Sequence, residues 1–377
     1  MQKIVRLFPA SVSWSVLAAS LFCPFALPAA PTPGLETGEI AGAKFALARP
    51  AQWNRRVLLL AHGLRSEDRP LVADLFPDHL AYKTLLDEGW VVAKTSYRRN
   101  GLIIADALAD LDALRAHIAA QLGEPDRVVL EGESMGGLIV TLIAERIPQK
   151  PRLYHGAIAV GAALAAREPN QELELSHRPQ IPLLFLTNQS ELDGPAAYVN
   201  TEVTDPTSLR AVLFRVSRDG HVNVNQRERL RALRALNTWL DRGTASLPRP
   251  PPDSPFFDAT VAPQPQPSQV VRHADRQGFD ARVIEVSAVY GNVFLNAQPA
   301  DFAAAGIGKL THFILQAHGQ TFRTMHGRDF SSVKRGEWVA FPNADGFFWL
   351  TRNFADAAAT ARLQVGDTIS LRRVDEE

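Results

Sequence analysis

The sequence of 377 residues contains one cysteine, Cys23, which lies near the N-terminus. A lone cysteine cannot form an intramolecular disulfide, so the fold depends on an apolar core, which a chain of this length can build. Lysine plus arginine and aspartate plus glutamate both number 40. This absence of net charge argues against partners that bind through a general electrostatic field, such as nucleic acid or an anionic membrane.

Motifs of metal and nucleotide chemistry are also missing. The sequence has no H-E-x-x-H, no set of cysteine ligands, no G-x-x-x-x-G-K and no G-x-G-x-x-G. Its ten histidines are scattered along the chain. We therefore expect neither a metal nor another cofactor.

The first 30 residues have the composition of an export signal. Basic residues precede an apolar run rich in serine and alanine over 7–27, and small residues follow. Pro9 and Pro24 shorten the uninterrupted apolar stretch below the length of a membrane span. We expect cleavage near Ala29, release without stable membrane insertion, and a periplasmic or extracellular location; an uncleaved anchor is the alternative.

Prolines divide the remaining chain into two parts. Eight of them lie between Ser246 and Gln269. Proline favours extended polyproline II, so this stretch is typical of a semi-stiff linker. The predicted organisation is an export signal at 1–30, a first domain at 36–243, the linker at 244–270 and a second domain at 271–377.

The first domain alternates strand-like apolar runs with helical spacing. The strand-like runs are 57–61, 90–93, 128–130, 157–160, 182–186 and 210–216, and the helical patterns cover 105–122, 138–147 and 226–240. This alternation predicts an α/β fold with a doubly wound, mostly parallel sheet that is covered on both faces.

A G-x-S-x-G motif, Gly132 to Gly136, follows one of these strands and precedes a helix. A serine hydroxyl is a poor nucleophile unless a base takes its proton and its oxygen stands clear of the sheet. A sharp strand-to-helix turn gives that exposure, and small neighbours relieve the crowding. Ser134 is therefore the candidate nucleophile.

Two acidic residues and a histidine follow Ser134 along the chain. Glu191 and Asp193 come after the strand that begins at 182, and His221 follows the strand at 210–216. The order serine, acid, histidine is that of the α/β-hydrolases. Residues 36–242 resemble that family, and the resemblance implies Ser134 as nucleophile and His221 as base.

The resemblance leaves two candidates for the triad acid. The stretch 187–191 is similar to the strand-H-G-x-x-D spacing of the family, although it lacks the usual glycine and carries glutamate instead of aspartate. This spacing favours Glu191. Asp193 is the alternative.

The resemblance also implies an oxyanion hole. The family places half of this hole after an early strand, where the sequence reads His62-Gly63-Leu64. The backbone N–H groups of Leu64 and Met135 are the implied donors, and His62 is interpreted as a structural histidine. Only about 20 residues, 162–181, separate two of the strands, which is too short for the large helical cap of many relatives. We expect an open site.

The second domain is rich in strand and turn signals and is predicted to be a small β-barrel or sandwich. Its stretches 287–296, 346–353 and 363–367 resemble the C-terminal β-domain of S-adenosylmethionine hydroxide adenosyltransferases and fluorinases, over about 282–373. The resemblance implies an adenosine-like ligand near Asn292, Arg352 and Asn353, and assembly into a homotrimer. The alternative is that Asn292 satisfies a strand end and that the domain serves assembly or attachment.

These patterns lead to one main hypothesis and two alternatives. The main hypothesis is an exported serine hydrolase that cleaves small carboxylic esters through a Ser-His-acid triad and an acyl-enzyme. A peptidase or amidase with the same triad is the near alternative. The other alternative is a non-catalytic binding protein whose β-domain holds an adenosine-like ligand.

Overall fold

The structure, a computed structural model, describes residues 34–146, 152–168, 173–201, 209–243, 256–264 and 266–374. The predicted export signal with Cys23 and the proline-rich stretch 244–255 lie outside the described residues.

The first domain contains nine strands and five helices within the described ranges. The strands are β1 (Gly34–Ile40), β2 (Ala43–Arg49), β3 (Arg56–Ala61), β4 (Val91–Thr95), β5 (Arg127–Glu133), β6 (Gly156–Val160), β7 (Leu183–Asn188), β8 (Val212–Val216) and β9 (Phe257–Asp258). The helices are α1 (Leu80–Asp87), α2 (Ile104–Leu122), α3 (Met135–Glu145), α4 (Asp193–Asn200) and α5 (Gln226–Arg242).

These strands form one sheet in the order β1-β2-β4-β3-β5-β6-β7-β8-β9. Strands β1 and β2 are antiparallel to their neighbours, and all the others run parallel. One face packs against α2 and α3, and the other against α1 and α5. The prediction of a doubly wound, mostly parallel sheet is confirmed, with helices on both faces as parallel strands require.

Helix α5 shows how the local sequence sets a boundary. The Asn225 side chain accepts hydrogen bonds from the N–H groups of Arg227 and Glu228 at 3.1 and 3.0 Å, and the Glu228 carboxylate accepts from the Asn225 N–H at 2.8 Å. This capping box satisfies N–H groups that have no partner within the helix. The helix therefore begins directly after the loop that carries His221.

Part of the predicted linker belongs to the first domain. Phe257 and Asp258 form β9, which pairs in parallel with β8, and Ala259 is completely buried. Phe214 and Phe257 pack edge to face, with ring centroids 5.2 Å apart. The chain thus passes along the edge of the sheet before it enters the second domain.

The second domain is a barrel, as predicted. Its elements are β10 (Val271–Arg272), β11 (Gly278–Val286), β12 (Val293–Leu295), α6 (Pro299–Ala304), β13 (His312–Ala317), β14 (Gln320–His326), β15 (Trp338–Pro342), β16 (Phe348–Arg352), α7 (Ala357–Ala361) and β17 (Thr368–Arg373). The order is β10-β11-β12-β16-β15-β14-β13-β17, and a further pairing of β17 with β11 closes the sheet. Closure removes the open edges that would otherwise be free to pair with another chain.

Aromatic residues fill the barrel. Phe302 is completely buried and stacks on Phe348, with ring centroids 3.8 Å apart, and it meets Phe279 and Phe313 edge to face. Each such ring contributes roughly 2–3 kcal/mol through the apolar area that it buries. In the described part of the chain no helix has the length and apolar character to span a membrane.

Candidate active site

Ser134 lies in the sharp turn between β5 and α3. Its backbone has φ 55° and ψ −114°, a conformation that side-chain-bearing residues adopt only under strain. Strain of this kind costs about 1–3 kcal/mol and persists only where the surroundings enforce it. Here the Ser134 N–H donates to the Val160 carbonyl at 2.9 Å, and the Ser134 carbonyl accepts from the Ala163 N–H at 3.0 Å.

The glycines around Ser134 are required by close backbone approach. A Cβ on Gly132 would lie 2.1 Å from the Gly136 carbonyl oxygen, and a Cβ on Gly136 would lie 2.1 Å from the Ala61 carbonyl oxygen. Neither distance is possible between real atoms. The G-x-S-x-G spacing thus lets the helix begin almost in contact with two strands, which leaves the serine at the tip of the turn.

His221 connects Ser134 to a carboxylate. Its Nε2 lies 2.8 Å from Ser134 Oγ, and its Nδ1 lies 2.6 Å from Glu191 Oε2. The other oxygen of Glu191 accepts from the Val222 N–H at 3.2 Å. Three residues from three separate loops therefore form one continuous hydrogen-bonded row.

The electrostatics of this row suit a general base. Burial alone would lower the pKa of His221, but the hydrogen bond and charge of Glu191, with smaller contributions from Glu133 and Asp329, raise it above the ordinary value. A carboxylate in this position also fixes which ring nitrogen carries the proton, so that Nε2 is free to accept from the serine.

Of the two candidate acids, Glu191 faces His221. It closes a short 3-10 turn, Gln189–Glu191, which directly follows β7. Asp193 is exposed and begins helix α4 on the far side of that turn.

The segment predicted to form half of an oxyanion hole lies against the serine. A Cβ on Gly63 would be 3.1 Å from Ser134 Cβ and 3.7 Å from Ser134 Oγ. The next residue, Leu64, is 39% exposed, and Met135 is the first residue of α3, where an N–H has no intrahelical acceptor. Both predicted donors are therefore beside the candidate nucleophile.

His62 lies beneath this segment and is buried. Its ring nitrogens approach the carbonyl oxygens of Gly63 and Ser96 at 2.7 and 2.9 Å. Burial, reinforced by the charges of Arg65 and Lys94, lowers its pKa to about 3. The geometry is that of a structural histidine.

A buried asparagine pair joins the acid loop to the histidine loop, and sequence reasoning missed it. Asn188 Oδ1 accepts from the Asn223 N–H at 2.8 Å, and Asn188 Nδ2 donates to the Asn223 carbonyl at 2.9 Å. Both residues are almost completely buried. An asparagine at the end of an apolar strand is the one signal in the sequence, since a buried amide needs partners.

Ion pairs flank the site. Arg229 bonds to both Glu131 and Glu133, and the charge of Arg229 outweighs the effect of burial to lower the pKa of Glu133. Arg98 and Arg99, at the same edge of the sheet, are engaged by Asp110 and Asp106. The described residues contain no group of three or more His, Cys, Asp or Glu arranged to hold a metal ion.

In the barrel, two of the three predicted ligand-binding residues bond within their own domain. The Arg352 guanidinium donates to the Gly336 carbonyl at 2.7 and 3.0 Å and to Thr360 Oγ1 at 2.8 Å. Asn353 Nδ2 donates to the Val333 carbonyl at 3.0 Å. Asn292 is half-buried and directly precedes β12, which pairs with β16, the strand that ends at Arg352.

Comparison with known proteins identifies a family for the second domain. Residues 282–370, about a quarter of the chain, match the family described as the SAM hydroxide adenosyltransferase C-terminal domain, which confirms the resemblance seen in the sequence. No curated protein sequence matches the chain.

Solved structures resemble the chain at low identity. An α/β serine hydrolase without lid from Xanthomonas campestris is 18% identical with a TM-score of 0.37, over 59% of this chain and 98% of that one. An uncharacterized conserved protein from Thermotoga maritima is 20% identical with a TM-score of 0.27, over 36% of this chain and 48% of that one. A prolyl endopeptidase is 15% identical with a TM-score of 0.37, over 48% and 34%.

The chain thus spans about half of the Thermotoga protein and a third of the prolyl endopeptidase. With TM-scores below 0.5, these likenesses carry no argument about activity. The strand order and the helices on both faces describe the first domain by themselves. The chain therefore combines an α/β-hydrolase-like domain with a C-terminal β-barrel that matches the SAM hydroxide adenosyltransferase C-terminal domain.

Proposed function

We propose that the protein is an exported serine hydrolase of small carboxylic esters, with Ser134, His221 and Glu191 as its catalytic triad. The observation that carries this proposal is the row of hydrogen bonds of 2.8 and 2.6 Å from Ser134 through His221 to Glu191. A surface serine, a loop histidine and a loop acid have no structural need to align in this way.

The first step forms a tetrahedral intermediate. Ser134 Oγ attacks the ester carbonyl while His221 Nε2 takes the hydroxyl proton, and Glu191 stabilises the imidazolium that results. The carbonyl oxygen becomes negative and accepts hydrogen bonds from the Leu64 and Met135 N–H groups. Each donor of this kind is typically worth about 3 kcal/mol in the transition state.

The second half returns the enzyme to its starting state. His221 gives its proton to the leaving alcohol, and the alcohol departs. Water then attacks the acyl-enzyme, His221 takes a proton from that water, and the acid product leaves as Ser134 regains its hydrogen.

Small substrates are favoured by what surrounds the serine. The described parts of 161–182, which follow β6, contain no helix that could serve as a cap for a long acyl chain. Loops of the barrel approach the same edge of the sheet, since the Asn223 side chain of the histidine loop donates to the Pro342 carbonyl at 3.1 Å.

The proposal is tested by labelling the purified protein with a fluorophosphonate, which reacts only with an activated serine. Wild type and Ser217→Ala are expected to be labelled on Ser134, while Ser134→Ala is expected to remain unlabelled. Ser217 is the matched control because its hydroxyl is exposed and only approaches Asp258, at 3.4 Å. A folded wild type that stays unlabelled would falsify the proposal.

Esters and amides are separated by turnover. A panel of p-nitrophenyl esters of increasing acyl length, with peptide p-nitroanilides beside it, should show hydrolysis of the short esters only. Faster cleavage of the anilides would assign the same triad to a peptidase. Detection of the protein in the periplasm or medium, with an N-terminus near residue 30, tests the proposed export.

A further inference from the structure

The loop that carries His221 contacts the barrel through Asn223. Asn223 Nδ2 donates to the Asp219 carbonyl at 2.8 Å within the loop and to the Pro342 carbonyl of the barrel at 3.1 Å. Two residues later, Asn225 Nδ2 donates to the Ala344 carbonyl at 3.3 Å. The hairpin between β15 and β16 thus holds the histidine loop at two points.

The segment that follows the predicted oxyanion donor Leu64 also contacts the barrel. The Arg65 side chain is only 1% exposed and bonds to Asp74 and to the Val72 carbonyl, both at 2.5 Å. Tyr290 of the barrel lies near this guanidinium: burial raises the pKa of its hydroxyl to about 12, and the charge of Arg65 opposes that rise. Arg65 is therefore held within its own domain and lies near the barrel.

A second cross-domain contact lies four residues further on. Arg69 forms an ion pair with Asp356, which stands at the start of α7 and whose carboxylate also accepts from the Ala359 N–H at 2.7 Å. Asp356 lies beside the turn that bears Tyr290, because a Cβ on Gly291 would meet its carboxylate. The Asp356–Arg69 ion pair and the neighbouring Tyr290 therefore lie at one place on the barrel.

Both loops that the proposed reaction depends on are irregular, so contacts and not strand pairing decide where they lie. The N–H of Leu64 must point at the developing oxyanion, and His221 must reach Ser134, each within a few tenths of an ångström. The barrel contacts both loops close to these residues.

We propose that the barrel is part of the catalytic unit, with Asp356 as a positioning residue that holds the oxyanion segment through Arg69 and with Tyr290 beside it at the same contact. This inference rests on the proposed function. It assigns to the second domain the role of holding the loops of the site in fixed positions.

Tyr290→Phe, Asp356→Asn and the double variant test the proposal in the full-length protein. Phenylalanine keeps the ring and removes the hydroxyl, and asparagine keeps a cap for α7 and removes the charge. Tyr154→Phe is the matched control, since it deletes a tyrosine hydroxyl that bonds to Asp112 at 2.6 Å, on α2. Each protein is assayed for kcat and KM on a short p-nitrophenyl ester, for fluorophosphonate labelling rate and for melting temperature.

In the double variant kcat and the labelling rate are expected to fall together by about 10- to 100-fold, as for a displacement of about an ångström in a catalytic group. KM should change little, because neither Tyr290 nor Asp356 is assigned to substrate contact. Tyr154→Phe should lower the melting temperature at least as much and leave kcat unchanged. If the loss of kcat only reflected lower stability, Tyr154→Phe would lose kcat as well.

Wild-type kcat and labelling rates in the double variant, with labelling of Ser134 intact, overturn the role of the barrel and leave the proposed function standing. A double variant with a raised KM and a lower melting temperature but an unchanged kcat also overturns it. A wild type without labelling at Ser134 removes the proposed function, and this inference with it.

Discussion

The polar side chains of the two domains are used in opposite ways. At the carboxyl edge of the first sheet, Ser134, His221 and Glu191 bond to one another across three loops. In the barrel, Arg352 and Asn353 bond to backbone carbonyls of their own domain. A side chain that hydrogen-bonds to a backbone group stabilises the fold. A titratable side chain that bonds to other reactive side chains can take part in catalysis.

The candidate nucleophile Ser134 and Arg352 of the barrel also differ in backbone conformation. Ser134 has a positive φ. The flanking glycines, Gly132 and Gly136, lie so close to other backbone atoms that an added Cβ on either would be 2.1 Å from a carbonyl oxygen. Arg352 lies in a regular strand, β16. The turn at Ser134 is therefore strained, whereas the strand at Arg352 is not. Four predictions probe this difference.

The largest effect is expected from the triad acid. Glu191→Gln should lower kcat on a short ester by about 10,000-fold, because glutamine stabilises the wrong tautomer of His221 and gives no charge to its cation. Asp193→Asn, on the exposed start of α4, should stay close to wild type. The measurement is steady-state hydrolysis by both variants, and the reverse ranking would make Asp193 the acid.

The next effect concerns the strained turn. Gly132→Ala should lower the free energy of unfolding by roughly 3 kcal/mol, because the added methyl group meets the Gly136 carbonyl and the elbow must shift. Gly34→Ala, where no heavy atom lies within 4 Å of the added Cβ, should change it by less than about 0.5 kcal/mol. Urea denaturation measures both. Equal stability would mean that the elbow relaxes freely.

A moderate effect is expected in the barrel. Arg352→Ala should cost roughly 2 kcal/mol of stability through the lost bonds to Gly336 and Thr360, with no change in ester turnover. Thermal unfolding and the ester assay measure the two quantities.

Calorimetry with adenosine at about 1 mM, enough to half-fill a millimolar site, tests the ligand suggested by the family resemblance. Binding heat that is present in the wild type and absent in Asn292→Ala would show that the barrel binds adenosine through Asn292.

The smallest effect links the two domains through pH. His221 must be neutral to accept a proton, so kcat/KM should rise with pH through its pKa, which the Glu191 carboxylate raises above 6.5. Asp329→Asn removes a smaller contribution from the barrel and should move this rise to slightly lower pH, and Glu191→Gln should move it further. A pH profile that Asp329→Asn leaves unmoved would show that this charge does not reach the site.

The same titration affects stability with the opposite sign. A pKa that is raised in the folded state means that the protonated His221–Glu191 pair stabilises the fold. This contribution is fully present below the unfolded pKa of 6.5 and is lost as pH rises through the folded pKa. Activity and this part of the stability should therefore change in opposite directions around neutral pH.

Much of the first domain was predictable because its signals are local. The strand at Arg127–Glu133 and the helix at Gln226–Arg242 follow from a buried valine-rich run and from an apolar face with charged residues opposite. Strands β1 and β2 were missed, since they pair with each other and with β4 through contacts that no spacing pattern reveals. The trimer suggested by the family resemblance stays a prediction.

The sequence by itself determined which residues are capable of the chemistry: a serine between glycines, and an acid and a histidine after later strands, in hydrolase order. Only the tertiary structure decided that Glu191 and not Asp193 meets His221, because two residues of one loop are equally near in sequence but lie on different sides of a turn. It also decided that Pro342 and Asp356 of the barrel contact Asn223 and Arg69, next to the segments of His221 and Leu64. The distance of 150 residues or more between these two barrel residues and Ser134 along the chain carries no signal, since contacts between domains depend on how two finished surfaces meet.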